Sequence, residues 1–231
     1  MADARAEILG RLRRALKRGP LDATAASGIE RRLKAHAPGP IPARTRLDRE
    51  GLVRLFTDKL QGVAGTVERL GRLDEVPSAV ARYLARHNLP AALRLAPSPM
   101  LAQLDWTKEP LLQLSAGPSD GSDLVSLTPA FAGIAETGTL MLISGPETPT
   151  TLNFLPDDHI VVLPLSRLVG PFEEAWARLR AAAGEEALPR TVNLVTGPSR
   201  SADIGLVPQL GAHGPRRLHV LLVDDDTQAQ R

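Results

Sequence analysis

Short apolar segments that alternate with helical patterns constrain this chain more than any other feature. Ile160-Val-Val-Leu163 is a run typical of a buried parallel strand, and Pro171–Ala183 predicts a helix with proline in its first turn. Such alternation, with short polar links, indicates an α/β fold with an open, mainly parallel sheet and flanking helices. Helical patterns are sparse between Leu111 and Leu163, so we expect part of the sheet to be antiparallel. The other predicted strands are Gly62–Val67, Ala91–Leu95, Leu111–Leu114, Leu124–Leu127, Gly133–Ala135, Thr139–Ile143, Thr191–Thr196 and Leu218–Val223, and the other predicted helices of this part are Asp48–Leu60 and Asp74–Asn88.

The beginning of the chain predicts a helical arm. Helical patterns over residues 3–18 and 23–35 precede Ala37–Pro42, where three prolines mark a linker. Alternatively, both helices pack on the main domain, because patterning does not say what an apolar stripe faces. The expected division is an N-terminal helical arm and Pro-rich linker over residues 1–45, an α/β domain over 46–226 and a polar tail over 227–231.

Charge is unevenly distributed along the chain. The net charge is +2, yet residues 1–60 carry 14 Lys/Arg against 7 Asp/Glu, and the remainder carries 14 against 19. A basic beginning suits an acidic partner, a phosphate-bearing ligand or a membrane surface. A solvated basic helix face needs no partner and is the simpler interpretation.

Composition excludes several classes of function. Aromatic residues make up 3% of the chain, which argues against a base-stacking nucleic-acid surface. There is no cysteine, so this chain holds no iron–sulfur cluster through thiolates, and any redox chemistry belongs to a partner or a bound cofactor. No apolar run reaches the ~20 residues of a membrane span. The N-terminus lacks the apolar core of a signal peptide, so we expect a cytoplasmic protein.

One carboxylate lies between two strand-like pieces, in the sequence Phe131–Ser144 (FAGIAETGTLMLIS). Glu136 is followed by Thr137-Gly138-Thr139, and the glycine permits a sharp turn or a close backbone approach. A carboxylate at a strand end can act as a general base, a nucleophile or a hydrogen-bond acceptor. A structural glutamate that accepts backbone N–H bonds is the alternative.

Two further polar segments follow downstream. Ser199 is placed to cap a helix beginning near Ala202-Asp203-Ile204, and with Arg200 it would form an anion site for a carboxylate or phosphate. His213 lies between glycines and could titrate near neutrality. We expect both segments and the Glu136 turn to meet at strand ends of one α/β domain. The candidate ligand-binding residues are Thr137, Gly138, Thr139, Gly197, Ser199, Arg200, Asp203, His213 and Gly214, with Glu136 as the candidate catalytic residue.

A metal site is the weaker interpretation of these polar residues. Glu136, Asp203, His213 and the Asp157-Asp158-His159 run could supply ligands. There is no HExxH motif and no repeated ligand spacing, so hydrogen bonding is preferred and no metal is predicted. The chain also has no Walker motif and no GxGxxG, so its pattern does not indicate a nucleotide.

Four separated motifs resemble one known family. GIAETGTLML, LPDDHIVVLP, VTGPSRSADI and GAHGP, in this order and spacing, are similar to the LUD domain of the lactate-utilisation protein C family. The resemblance covers roughly residues 48–224. It implies a NagB/RpiA/CoA-transferase-like α/β fold and a role in oxidising L-lactate to pyruvate, beside companion proteins that carry the iron–sulfur clusters.

Three functions are therefore compatible with the sequence. The first is a component of an L-lactate utilisation system that acts with iron–sulfur companion proteins and binds a small carboxylate or a cofactor of unknown identity. The second is a stand-alone acyl/CoA transferase or isomerase, because CoA transferases of that superfamily use a glutamate followed closely by glycine, which Glu136-Thr137-Gly138 resembles. The third is a binding or regulatory module that uses the basic arm.

Overall fold

A computed structural model describes residues 4–17, 19, 21–184, 188–201 and 209–225, with the backbone alone at 209–210. The chain forms two compact units, residues 1–40 and 41–231. The first unit begins with helices α1 (Ala4–Ala15) and α2 (Ala23–Ala35), as the sequence predicts. Asp22 caps α2 by accepting a hydrogen bond from the Ala25 N–H at 2.7 Å.

The second unit alternates strands and helices in the predicted order. Its helices are α3 (Arg49–Gln61), α4 (Val76–Arg86), α5 (Pro99–Ala102), α6 (Thr151–Phe154) and α7 (Phe172–Ala183). Its strands are β1 (Thr66–Leu70), β2 (Ala92–Leu95), β3 (Gln113–Ala116), β4 (Val125–Pro129), β5 (Ala132–Ile134), β6 (Thr139–Ile143), β7 (Asp158–Pro164), β8 (Leu168–Val169), β9 (Val192–Val195), β10 (Arg200–Ser201), β11 (Gln209–Leu210) and β12 (Arg217–Val223). The α/β class inferred from the sequence is confirmed.

A six-stranded parallel sheet forms the centre of this unit. Its strand order is β1-β12-β7-β4-β2-β3, and every pair in it is parallel. After β2 the chain continues outward to β3, whereas after β4 it continues in the opposite direction to β7. The gap between β2 and β4 is therefore the topological switch point, where open α/β sheets form a crevice at the carboxyl ends of their strands.

A second sheet holds the strands around Glu136. Its order is β8-β5-β6-β9, with β5 and β6 forming an antiparallel hairpin and β9 antiparallel to β6. The sequence predicted one sheet with an antiparallel part, and the structure instead separates these strands into a sheet of their own. The physical reason is the short connection from Ile134 to Thr139, which joins antiparallel neighbours but is too short for a parallel crossover.

Apolar residues fill three layers between these elements. One cluster packs α4 against one face of the parallel sheet, through residues such as Val80, Leu127 and Ile160. A second joins the other face to α3 and β6, and a third joins the far face of the small sheet to α7. Phe56 of α3 is fully buried, which contributes about 2–3 kcal/mol.

A polar cluster is buried at the amino end of the parallel sheet. Asp158, the first residue of β7, is 0% exposed and accepts hydrogen bonds from the Tyr83 hydroxyl at 2.7 Å and from Arg217 at 2.6 and 2.7 Å. Burial, together with the hydrogen bond to Asp158, raises the pKa of Tyr83. The sequence placed the start of this strand at residue 160. It begins two residues earlier because the polar side chains of Asp158 and His159 have partners inside the fold.

Two histidines are buried in the same unit. His159 is hydrogen-bonded to Thr128 through Nε2 at 2.7 Å, and His219 to Thr66 through Nδ1 at 2.7 Å. Burial lowers the pKa of His159 to about 3. It also lowers the pKa of His219 to about 4, with nearby Glu68 opposing the shift. Both rings are therefore neutral at pH 7.

Candidate functional site

Glu136 lies in the turn between β5 and β6 with both carboxylate oxygens engaged. Oε1 accepts a hydrogen bond from Arg44 at 3.1 Å, and Oε2 accepts one from the Phe172 N–H at 3.2 Å. Phe172 is the first residue of α7, so the carboxylate occupies the positive end of a helix. Its side chain is 15% exposed. Glu136 thus accepts a backbone N–H bond, as in the alternative in which it is a structural residue. To act as a nucleophile, its carboxylate would have to leave these partners.

Arg44 is a partner that the sequence reasoning missed. The residue falls within the stretch assigned to the arm and linker, yet residues 43–45 form a short 3₁₀ turn in the second unit, with Thr45 buried. The boundary between the compact units lies at 40/41, five residues before the predicted one. No local pattern marks Arg44, because its partner is 92 residues away in sequence.

A chain of three threonine hydroxyls links the Glu136 turn to the next polar segment. Thr137 and Thr139 are hydrogen-bonded at 2.6 Å, and Thr139 is hydrogen-bonded to Thr196 at 2.6 Å. Gly138 allows this turn to fit against the end of α3, because its φ is +69° and a Cβ there would lie 2.5 Å from the Leu60 nitrogen. The glycine is therefore required by close packing.

The two downstream segments contact each other. The Ser199 N–H donates to the Pro215 carbonyl at 2.8 Å, and the Ser199 hydroxyl accepts from the His213 N–H at 3.3 Å. A Cβ on Gly214 would lie 3.3 Å from the Ser199 Cβ, so this glycine also fits a close contact. Thr196 and Gly197 follow β9 of the small sheet, whereas residues 211–215 precede β12 of the parallel sheet. The two segments therefore do not both lie at the carboxyl ends of strands in one sheet.

Of the remaining predicted residues, Gly197 and Arg200 lie in the described part of the chain. Gly197 has a φ of +89° and packs on Val63, and Arg200 is exposed in β10. Asp203, and the helix start predicted at 202–204, lie outside the described residues. Within the residues that the structure describes, the Glu136 carboxylate bonds to Arg44 and Phe172, with neither Ser199 nor His213 among its partners. The same part of the chain contains no group of three His, Asp or Glu side chains that could hold a metal ion.

A separate pocket opens at the topological switch point. It lies after β2, β4 and β7, at the carboxyl ends of the parallel strands, and has a volume of about 510 Å³. Its position follows the rule for ligand sites in open α/β sheets. The sequence reasoning missed it, although the Ser98-Pro99 and Ser166-Arg167 segments follow predicted strands. The lining residues include Ser98, Met100, Pro129, Ala130, Phe131, Ile143, Glu147, Thr148, Arg167 and Arg178.

Arg167 supplies a positive charge next to the end of β4. Its Nη1 donates to the Ala130 carbonyl at 2.7 Å, and the described residues place no carboxylate within salt-bridge distance of it. Burial lowers its pKa, while Asp225 acts in the opposite direction. Arg178, by contrast, is paired with Glu174 at 2.8 Å. Among the described lining residues, Arg167 is therefore a half-buried cation that Asp225 influences from beyond salt-bridge distance.

The fold and these two sites define an open α/β protein with a crevice at its switch point and a separate hydroxyl-lined network. Residues 121–223 match the family model of the LUD domain. All four motifs quoted above fall in that range, so this part of the chain, somewhat less than half of its length, is similar to a LUD domain.

Several proteins of other organisms are similar in sequence to part of this chain. A lactate utilization protein C of Shouchella clausii is 36% identical over 101 residues, or 44% of each chain, and one of Halalkalibacterium halodurans is 37% identical over 103 residues, or 44% of each. An uncharacterized protein of Neisseria meningitidis serogroup B is 42% identical over 97 residues, which cover 42% of this chain and 41% of that protein. The matches thus span less than half of each relative's length.

A solved structure supports the fold. The crystal structure of a DUF162 family protein from Deinococcus radiodurans superposes with a TM-score of 0.58 at 23% identity, covering 77% of this chain and 99% of the other. Among the described helices, none is long and apolar enough to cross a bilayer.

Proposed function

We propose that this chain is a component of an L-lactate utilisation system and acts with iron–sulfur companion proteins. The observation that carries the proposal is the LUD domain match over residues 121–223, together with 36–37% identity over 101 and 103 residues to proteins named lactate utilization protein C. Oxidation of L-lactate to pyruvate releases an electron pair and two protons. A chain without cysteine needs a bound cofactor or a partner to accept those electrons, which suits a division of labour.

In this proposal the chain binds a small carboxylate through its polar residues. The hydroxyls of Thr137, Thr139 and Thr196, together with Ser199, offer neutral donors that suit a hydroxy- or oxo-acid. At the same downstream segments, Arg200 would add a positive charge and His213 an imidazole ring for hydrogen bonding. Their assignment as ligand-binding residues rests on their place in the shared motifs.

The test reconstitutes lactate oxidation from purified proteins. Companion proteins from a genome encoding this chain are assayed for L-lactate-dependent pyruvate formation with and without it, and with Thr139→Val. We expect activity to depend on the chain and to fall at least about tenfold with T139V, because the hydroxyl bridges both segments. Full activity from the companions alone would refute the role as a component.

A second candidate function is acyl transfer with Glu136 as nucleophile. The observation in its favour is the position of this carboxylate in a turn that includes Gly138, with its side chain still 15% exposed; to attack an acyl group it would have to leave Arg44 and the Phe172 N–H. Glu136→Gln and the matched control Arg44→Gln are compared in acyl-CoA transfer, with unfolding measured alongside. A nucleophile requires E136Q to abolish turnover and R44Q to retain part of it. Equal activity in both variants and the wild type would remove this candidate.

A further inference from the structure

We infer that the pocket at the switch point is a binding site for a monocarboxylate with an apolar body, held through Arg167. The inference rests on the pocket's own geometry. Binding at this pocket can therefore be tested independently of the proposed role in lactate utilisation.

The shape of the pocket selects the size of ligand. A volume of about 510 Å³ lies within the range of small-molecule sites, which is roughly 300–1,000 Å³. L-lactate would fill only a small part of it. The walls contributed by Met100, Phe131 and Ile143 are apolar, so a ligand that covers them gains from burial of its own apolar surface.

The charge of Arg167 selects the polar group. A half-buried guanidinium without a paired carboxylate is costly to keep in a protein, and an anionic ligand would supply the missing partner. The bond from Nη1 to the Ala130 carbonyl fixes the guanidinium against the end of β4 and leaves further N–H groups for a bidentate contact. A planar carboxylate matches that geometry.

Two neighbouring side chains refine the specificity. Ser98 is buried, and within the part of the chain that the structure describes its hydroxyl accepts one long bond, 3.4 Å from the Leu101 N–H, so its own O–H can donate to the ligand. Glu147 is exposed at the pocket and carries a negative charge that opposes a second anionic group. The site therefore favours a single carboxylate over a dianion such as phosphate.

The pocket is distinct from the threonine network. Phe131 and Ile143 line it at one end of the small sheet, whereas Glu136 and Thr139 lie at the other end of β6. The five residues of β6 separate the two regions by about 13 Å. A ligand bound at Arg167 would leave the threonine network accessible.

The experiment is an NMR titration of the full chain with 3-phenyllactate, followed through the backbone amides of Ala130, Phe131 and Thr148. L-lactate, the neutral analogue 3-phenylpropanol and inorganic phosphate are titrated in parallel. We expect saturable shifts with 3-phenyllactate and at least about tenfold weaker binding of the other three, because each lacks the apolar body or the carboxylate.

Two matched variants separate the charge effects. Arg167→Lys keeps the cation but loses the bidentate fork, and we expect binding at least about tenfold weaker. Glu147→Gln removes an exposed like charge, and we expect binding about two- to fivefold tighter without loss of folding. The tightening keeps the inference testable if R167K unfolds.

Any one of four results would overturn the inference. The first three are the absence of saturable shifts with 3-phenyllactate, equal binding of 3-phenylpropanol, and unchanged affinity in both R167K and E147Q. The fourth is displacement of 3-phenyllactate by phosphate at equal concentration, which would contradict the assignment to carboxylates. Binding of 3-phenyllactate by a chain that fails the lactate assay would leave this site in place and refute only the lactate role.

Discussion

Lowering the pH from 7 to 5 should destabilise the second unit, because it buries two histidines in the neutral form. His159 is 0% exposed and His219 is 6% exposed. Desolvation of the charged form is the main cause of both pKa shifts, to about 3 and about 4. For His219, Glu68 favours the charged ring, while His87 and Arg86 oppose it.

The sign and size of the effect follow from the pKa difference between the two states. An unfolded histidine has a pKa near 6.5, so below that pH the unfolded chain binds more protons than the folded one. Stability is therefore fully present above about pH 6.5 and is lost as the pH falls toward the folded pKa values of about 3 and 4. Between pH 7 and pH 5 each histidine costs about 2 kcal/mol, or about 4 kcal/mol for the pair.

Urea unfolding at a series of pH values measures this loss, with the fluorescence of Trp106 and Trp176 reporting on the second unit. His219→Gln should reduce the loss between pH 7 and 5 to about 2 kcal/mol, because one titrating group is removed. His36→Gln is the matched control, since His36 is exposed. A wild-type loss below about 1 kcal/mol over this range would refute the reasoning.

Two further predictions concern packing. Tyr83→Phe should lower the free energy of unfolding by about 1.5–3 kcal/mol, because it removes a hydrogen bond to the buried Asp158 carboxylate. In a double-mutant cycle with Asp158→Asn, urea unfolding should show a coupling above about 0.5 kcal/mol; strict additivity would contradict a shared network. Gly138→Ala should lower the free energy of unfolding by about 1–3 kcal/mol more than Gly121→Ala. Both glycines have positive φ, but of the two only a Cβ at 138 would meet Leu60. Equal melting temperatures of the two alanine variants would contradict this prediction.

Much of the fold was predictable from local patterns in the sequence. Helix α3 was expected from Asp48 to Leu60 and occurs from Arg49 to Gln61, because its apolar stripe and its capping aspartate are adjacent in the chain. The separate small sheet was not predicted. Strands β5 and β6 are short and buried, and their apolar runs look the same whichever sheet they join.

The candidate sites were predictable only where motifs carried them. The contact between Ser199 and the residues around His213 was expected, and the structure brings these two segments together. Arg167 had no such signal, since a single arginine after a strand resembles any exposed cation. What distinguishes it is the combination of partial burial and a carbonyl contact 37 residues away, and both depend on tertiary structure.

The pairing of β1 has a consequence for the order in which the protein can assemble on the ribosome. Within the described sheet, β1 hydrogen-bonds only to β12. Val67 therefore cannot pair with its register partner Val220 until the ribosome has synthesised β12. At roughly 5–20 residues per second, that interval lasts on the order of ten to thirty seconds. During it, the edge of β7 that β12 will cover is also open, and a nascent chain in this state is a natural client for chaperones that shield unpaired strands.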